Sequence, residues 1–271
     1  MIQRIIIFCV IAISGVFVNA ERGNAQHSMG ARSIASGQTG VAAPGDSWSL
    51  FSNSALLSTD EKRISFYGFR YAGIAEITDA AFSASTPVFS GAAGAAVHRY
   101  GFDLFNETRF IAGYKQNWHG LHAGIALHYT YVQQGGNYGS AGAAGLDLGF
   151  AAEIISGLWF GSRATNINQP KYKKTDEELP RELAAGLSFS PVHRLMISTE
   201  IVKDVRFPAS FRAGLDAELI TGFRARTGIT TQPETYSAGF GYQTGRWQIN
   251  FAVQQHNPLG LSPAIDFGLT L

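Results

Sequence analysis

After residue 62, apolar and polar residues alternate with a period of two along most of the chain. Between 121 and 131, Leu121, Ala123, Ile125, Leu127, Tyr129 and Tyr131 share one face, and His122, Gly124, Ala126, His128 and Thr130 share the other. The pattern returns at 211–219, with Phe211, Ala213, Leu215, Ala217 and Leu219 opposite Arg212, Gly214, Asp216 and Glu218. It returns again at 247–254, where Trp247, Ile249, Phe251 and Val253 oppose Gln248, Asn250, Ala252 and Gln254. Side chains that point alternately to two faces of a strand give this period, and a sheet between lipid and a polar interior requires it. Weaker or shorter segments at 63–72, 77–88, 91–102, 108–117, 144–153, 156–166, 181–190, 194–202, 223–231, 235–243 and 262–271 bring the set to about fourteen strands, an even number as bacterial outer-membrane barrels have.

The connections alternate in length as well. Short turns are expected around Phe89-Ser90, Trp118-His119-Gly120, Ile154-Ile155, Pro191 to His193, Thr221-Gly222 and Thr244-Gly245. The intervening connections include the longest, Gln134 to Ala143, Asn168 to Pro180 and His256 to Leu261. Short periplasmic turns alternating with longer external loops are a barrel property, and they put both termini at the periplasm. The charge run from Lys171 to Glu178 falls in one external loop; it reads as a solvated loop, with a partner patch as the alternative. The apolar alternation from Ile265 to Leu271 resembles the C-terminal signal read by barrel-assembly machinery.

Composition narrows the class. Thirty-one glycines and 12% aromatic residues suit a β wall. Lys plus Arg at 21 nearly balances Asp plus Glu at 20, so no basic field points to nucleic acid. No apolar stretch after residue 20 is long enough for a membrane helix, so any crossing is by a closed sheet. Residues 1–20 combine a basic start, an apolar run and small residues at Val18-Asn19-Ala20, which reads as a cleaved export signal; a membrane-anchoring helix is the alternative. The single cysteine, Cys9, lies within that segment, leaving no disulfide, thiolate nucleophile or cysteine metal site in the mature chain.

Residues 21–60 form no strand pattern and are rich in Gly, Ala and Ser. Barrels of about eight strands are filled by wall side chains and those of 16–18 leave an aqueous channel. A barrel of about fourteen therefore needs something more in its lumen, and 21–60 is the segment large enough to serve as a hatch or plug. Inward glycines at 124, 149, 186, 214, 239 and 241 would leave it room. Within it, Asp46-Ser47 can cap a short helix with Trp48, Phe51 and Ala55 on one side; a surface helix is the alternative.

Three blocks carry a family resemblance. Gly30-Ala31-Arg32, the glycine step from Gly37 to Ala42, and Asp46 followed by Leu50 to Leu57 resemble the N-terminal block of the long-chain fatty-acid transporter (FadL) superfamily. The blocks Val97 to Gly101 with Ala112-Gly113-Tyr114, and Leu179 to Leu183 with Ala185 to Ser188, resemble the compact PorV and PorQ branch. Asn53 and Ala55 match the family pattern; Ser54 and Leu56 replace its proline and second glycine. The resemblance implies a fourteen-stranded outer-membrane barrel with an N-terminal hatch, whose gating residues would be Gly30, Arg32, Asp46, Trp48, Phe51 and Asn53.

Candidate chemistry is sparse. The seven histidines include no H-E-x-x-H pair, and His122 and His128 lie roughly 20 Å apart along an extended strand. His128-Tyr129-Thr130 is the nearest match to the H-x-S pair of outer-membrane phospholipases, and it lacks the serine. No catalytic residue, metal ligand or cofactor site is therefore expected. Arg212, Asp216, Glu218, Arg224 and Arg226 form a polar cluster on inward faces, either neutralising one another or also holding the hatch.

The expected fold is an all-β transmembrane antiparallel barrel with a lumenal hatch: signal 1–20, hatch 21–60, barrel 61–271. The leading functional expectation is a non-enzymatic outer-membrane conduit for small hydrophobic compounds. The alternative is a scaffold or accessory barrel of type IX secretion. Expected partners are outer-membrane lipids, the barrel-assembly machinery, and either hydrophobic molecules or secretion proteins.

Overall fold

In the computed structural model, residues 29–74, 76–135, 139–172, 178–257 and 260–271 are described. The expected signal segment and the middle of the 171–178 charge run lie outside them. The strands are β1 (Arg63–Phe69), β2 (Thr78–Val88), β3 (Gly91–Phe102), β4 (Phe105–Trp118), β5 (Leu121–Gln134), β6 (Gly139–Ile155) and β7 (Leu158–Ala164). They continue with β8 (Glu182–Val192), β9 (Leu195–Asp204), β10 (Ser210–Ile220), β11 (Phe223–Thr231), β12 (Glu234–Thr244), β13 (Trp247–His256) and β14 (Gly260–Thr270). All neighbours pair antiparallel in sequence order. The sheet closes where β1 meets β14, from Arg63 opposite Thr270 to Phe69 opposite Ala264. Closure leaves no free strand edge, the condition for spanning lipid with strands.

The alternation in the sequence is an outward and inward alternation in space. Leu121, Ile125, Leu127 and Tyr129 of β5 are exposed on the exterior, while Ala126, His128 and Thr130 are buried inside. Phe66, Phe110, Leu148, Leu187, Ile197, Leu215, Phe240, Ile249 and Ile265 extend the same apolar exterior around the barrel. In water such a belt would be an aggregation surface; against acyl chains it is the expected wall.

Six two-residue turns join β2–β3, β4–β5, β6–β7, β8–β9, β10–β11 and β12–β13 at one end, the turn end. Left-handed residues let the chain reverse in so few positions: Gly120, Gly157, Gly222 and Gly245, with Phe89 and His119 also at positive φ. Several expected turns move slightly. Ile154 and Ile155 belong to β6, Pro191 and Val192 to β8, and the reversals fall at 156–157 and 193–194. Two of the expected long loops are shorter than expected, because β5 runs to Gln134 with β6 starting at Gly139, and β13 reaches His256 with β14 starting at Gly260. The longest connection, 165–181, lies at the opposite end, the loop end, and of its described residues Thr165, Asn166 and Leu179 are buried. Asn166 holds it there, its amide N–H donating to Asp147 Oδ1 at 2.8 Å and its Nδ2 to the Pro180 carbonyl at 2.6 Å.

Residues 29–57 lie inside the barrel. They contain α1 (Ala31–Ala35), α2 (Ser49–Ser52) and a 3₁₀ turn over Ser54–Leu56. The expected helix with Trp48, Phe51 and Ala55 on one side is thus divided into two short pieces. Asp46 does not cap α2; its Oδ1 accepts from Trp48 N at 3.0 Å, one residue before the helix. Asn53 instead ends α2 and caps the 3₁₀ turn, its Oδ1 accepting from Ala55 N at 3.1 Å.

The interior backbone fits because the wall facing it is glycine. Gly94 and Gly113, Gly124 and Gly149, Gly161 and Gly186, and Gly214 and Gly228 are directly paired across neighbouring strands. A Cβ at Gly124 would overlap the backbone at Ser54 and Ala55, and one at Gly228 would overlap Ser36 and Gly37. Gly94 and Gly113 face Leu50, and Gly161 and Gly186 face Val41. These pairs form a girdle on which residues 29–57 rest.

Candidate functional site

A folded segment with little regular structure carries backbone N–H and C=O groups that need partners away from water. The inward wall side chains supply them. Asp266 Oδ2 of β14 accepts from Ala31 N at 2.7 Å, at the start of α1. Glu200 Oε2 of β9 accepts from Gly40 N and Val41 N at 2.9 and 3.0 Å. On the donor side, Arg212 Nη1 reaches the Gln38 carbonyl at 3.1 Å, Thr230 Oγ1 that of Gly37 at 2.9 Å, Arg163 Nη1 that of Phe51 at 2.7 Å and Lys115 Nζ that of Leu57 at 2.9 Å. Asn53 Nδ2 reverses the direction, donating to Val41 O at 2.7 Å and to the wall at Phe150 O at 3.0 Å. The segment is therefore held by many separate hydrogen bonds, each worth about 1 kcal/mol net, or roughly 1.5–3 where a charge takes part.

The expected polar cluster divides in two. Asp216 and Glu218 lie directly across from Arg226 and Arg224 in the β10–β11 register. Arg224 Nε donates to Asp216 Oδ1 at 2.6 Å and Arg226 Nε to Oδ2 at 2.9 Å, while Arg224 Nη1 lies 3.5 Å from Glu218 Oε2. Arg32, from the interior segment, joins at 3.6 Å from Asp216 Oδ2. Arg212 does not belong to this group; it pairs with Glu200 at 3.5 Å. One residue separates Arg212 from Gly214 and one separates Gly214 from Asp216, so the three share a face at different heights.

Of the expected gating residues, Gly30 and Trp48 meet, since a Cβ at Gly30, which has φ +94°, would run into the indole ring. Trp48 also packs on Phe51 (centroids 5.9 Å) and on Tyr67 of the wall (5.7 Å). Phe51 stands edge-on to His98 at 6.4 Å. Towards the loop end, Phe69 contacts Tyr71 at 4.7 Å and Tyr71 contacts Tyr100 at 5.8 Å. The Tyr71 hydroxyl and His98 Nε2 both reach the Asp79 carboxylate, at 3.1 and 3.0 Å. An aromatic track thus runs along β1 to β3, from the loop end to the interior segment, on a wall that is elsewhere largely polar.

The wall anchors Lys115, Arg163, Glu200 and Asp266 were not singled out from sequence. Each has inward parity on its strand, which was the available signal; which inward charges touch the interior segment depends on a register the sequence does not display. His128 and Thr130 share a strand face as expected. Both are buried, His128 Nε2 lies 3.4 Å from Asp147, and Thr130 Oγ1 accepts from Arg109 Nε at 3.3 Å. Among the described residues, no group of three His, Cys, Asp or Glu is placed to hold a metal ion.

A closed fourteen-stranded antiparallel barrel with an apolar exterior and an occupied lumen defines a transmembrane β-barrel of the FadL fold. The Ralstonia pickettii toluene transporter TbuX shares that fold with this chain at TM-score 0.73, with 12% identity over 90% of this chain and 99% of TbuX. The monoaromatic hydrocarbon channel CymD is similar at TM-score 0.70, with 11% identity over 90% and 98% of the two chains. A Pseudomonas aeruginosa FadL homologue covers 95% of this chain and 99% of its own at TM-score 0.58 and 10% identity. No protein-family profile and no curated protein matches the sequence.

Proposed function

We propose that this protein is an outer-membrane conduit for small hydrophobic compounds, with residues 29–57 as its hatch and the turn end in the periplasm. The carrying observation is the aromatic track from Tyr100 and Tyr71 at the loop end to Trp48 and Phe51 in the interior segment. Trp48, Tyr67 and Phe69 are buried against one another with Phe51 and Tyr71 alongside; the surface they free when the hatch moves would take apolar cargo out of water with a gain of about 25 cal/mol per Å² of apolar area buried. The likeness in fold to toluene and monoaromatic hydrocarbon channels supports the same reading. In this account, cargo enters from outside, descends along β1 to β3, and passes when the hatch rearranges. Asp216, Arg226, Glu200 and Asp266 hold the hatch closed, and Gly30 and Asn53 fix its internal turns.

Affinity purification of the tagged full chain from its native membrane, with identification of retained small molecules and proteins, tests this. A retained apolar compound is the expected result. Stoichiometric secretion-system proteins without any such compound would replace the conduit by the type IX scaffold.

A further inference from the structure

At the turn end, below the interior segment, lies a cavity of ≈ 280 Å³. The aromatic track does not reach it. Arg32, Arg63, Arg224, Arg226 and Arg246 line it, together with His193, and no carboxylate does. Behind this lining, Arg32, Arg224 and Arg226 share the single Asp216 carboxylate, with Glu218 beside Arg224. Arg63 is matched by Glu61 at 2.6 Å. Among the described residues, Arg246 has no carboxylate within ion-pair distance, and Nη2 of Arg224 and Nη2 of Arg226 have no hydrogen-bond partner. Four guanidiniums, those of Arg32, Arg224, Arg226 and Arg246, thus face two carboxylates. The lining of the cavity therefore carries more guanidiniums than carboxylates.

We infer that this cavity is a binding site for a small organic carboxylate, entered from the turn-end mouth. Guanidinium forks match a planar carboxylate with two parallel hydrogen bonds, and they do so most strongly where water is limited. Arg226 is 2% exposed at its side chain, so its guanidinium is already largely out of water. The rest of the lining selects against a compact, fully hydrated anion: Met196 and Pro44 provide an apolar face for the body of the molecule. Inorganic phosphate would leave that face unused. The site is reached from the side opposite the aromatic track, and Arg32, Pro44 and Gly45 of residues 29–57 form part of its lining.

Calorimetric titration of the purified full chain in detergent, with benzoate, benzyl alcohol and inorganic phosphate as probes, tests the site. Saturable benzoate binding at least tenfold tighter than either other probe is expected, with a loss of at least fivefold in Arg246→Gln and in Arg224→Gln. Arg246 is exposed and outside the buried network, so heat-modifiable migration of that variant should be normal even if Arg224→Gln perturbs folding. Equal binding of benzoate and benzyl alcohol, or undiminished benzoate binding in Arg246→Gln, overturns the proposal. Tighter phosphate binding overturns the assignment to carboxylates. Equilibrium binding needs no flux, so failure of the conduit reading would leave each of these outcomes readable.

Discussion

Asp266 shows how single inward residues hold the lumen together. It accepts from the first amide of α1 at 2.7 Å and from Asn250 Nδ2 at 2.6 Å, and it is almost wholly buried. Replacing it by Ala leaves a buried N–H without its acceptor, a cost of about 1–3 kcal/mol. Hydrogen exchange in 31–35 should then rise roughly tenfold for each 1.4 kcal/mol lost, while the β14 amides stay protected; an unchanged rate at Ala31 would remove Asp266 from the anchoring set. Arg226 makes a contrasting case. Its Nε serves Asp216 and its Nη1 reaches Asn250 Oδ1 at 2.8 Å, so it links two wall strands while Arg32 of the interior segment shares the same carboxylate. Arg226→Gln should therefore loosen both wall and hatch, read as protease cutting within 29–57 together with a lower heat-modification temperature. Asp216 and Arg226 were legible in the sequence because they lie on one face of adjacent strands. Glu200 and Asp266 look identical to any lumenal acid until the fold brings Gly40 and Ala31 to them.

Elements were legible in proportion to their periodicity. All fourteen strands are where alternation puts them, and β5, β10 and β13 have the expected residues facing out. The errors fall at strand ends, where polar residues such as Gln133 and Gln134 continue to pair beyond the apolar belt. The interior segment was legible only as composition, since its short helices have no repeating apolar face and are shaped by the wall around them. The glycine girdle makes that dependence testable. Gly228→Val would drive a side chain into the backbone of Ser36 and Gly37, whereas a Cβ at Gly268 meets nothing nearer than Ser65 Oγ at 3.4 Å. Gly228→Val should expose 29–57 to protease and raise single-channel conductance, and Gly268→Ala should change neither. Equal behaviour of the two variants would mean that the segment does not rest on the girdle.

At the scale of the whole molecule, the barrel presents three successive environments along its axis: the aromatic track of β1 to β3, the anchored segment 29–57 and the arginine-lined cavity at the turn end. The proposed conduit requires that apolar compounds pass only when that segment moves. A disulfide can hold residues 29–57 in place, because Ser47 Oγ lies 3.7 Å from a Cβ built at Gly268, which meets nothing nearer than 3.4 Å, so a cysteine fits at each position within reach of a bridge. The decisive measurement is uptake of labelled toluene by cells producing the full chain, the Ser47→Cys/Gly268→Cys variant oxidised, the same variant reduced, or no barrel. The account predicts fast uptake with the natural chain, uptake near the no-barrel level when the bridge is closed, and recovery on reduction. Uptake that is the same with and without the protein, or that ignores the state of the bridge, would contradict it.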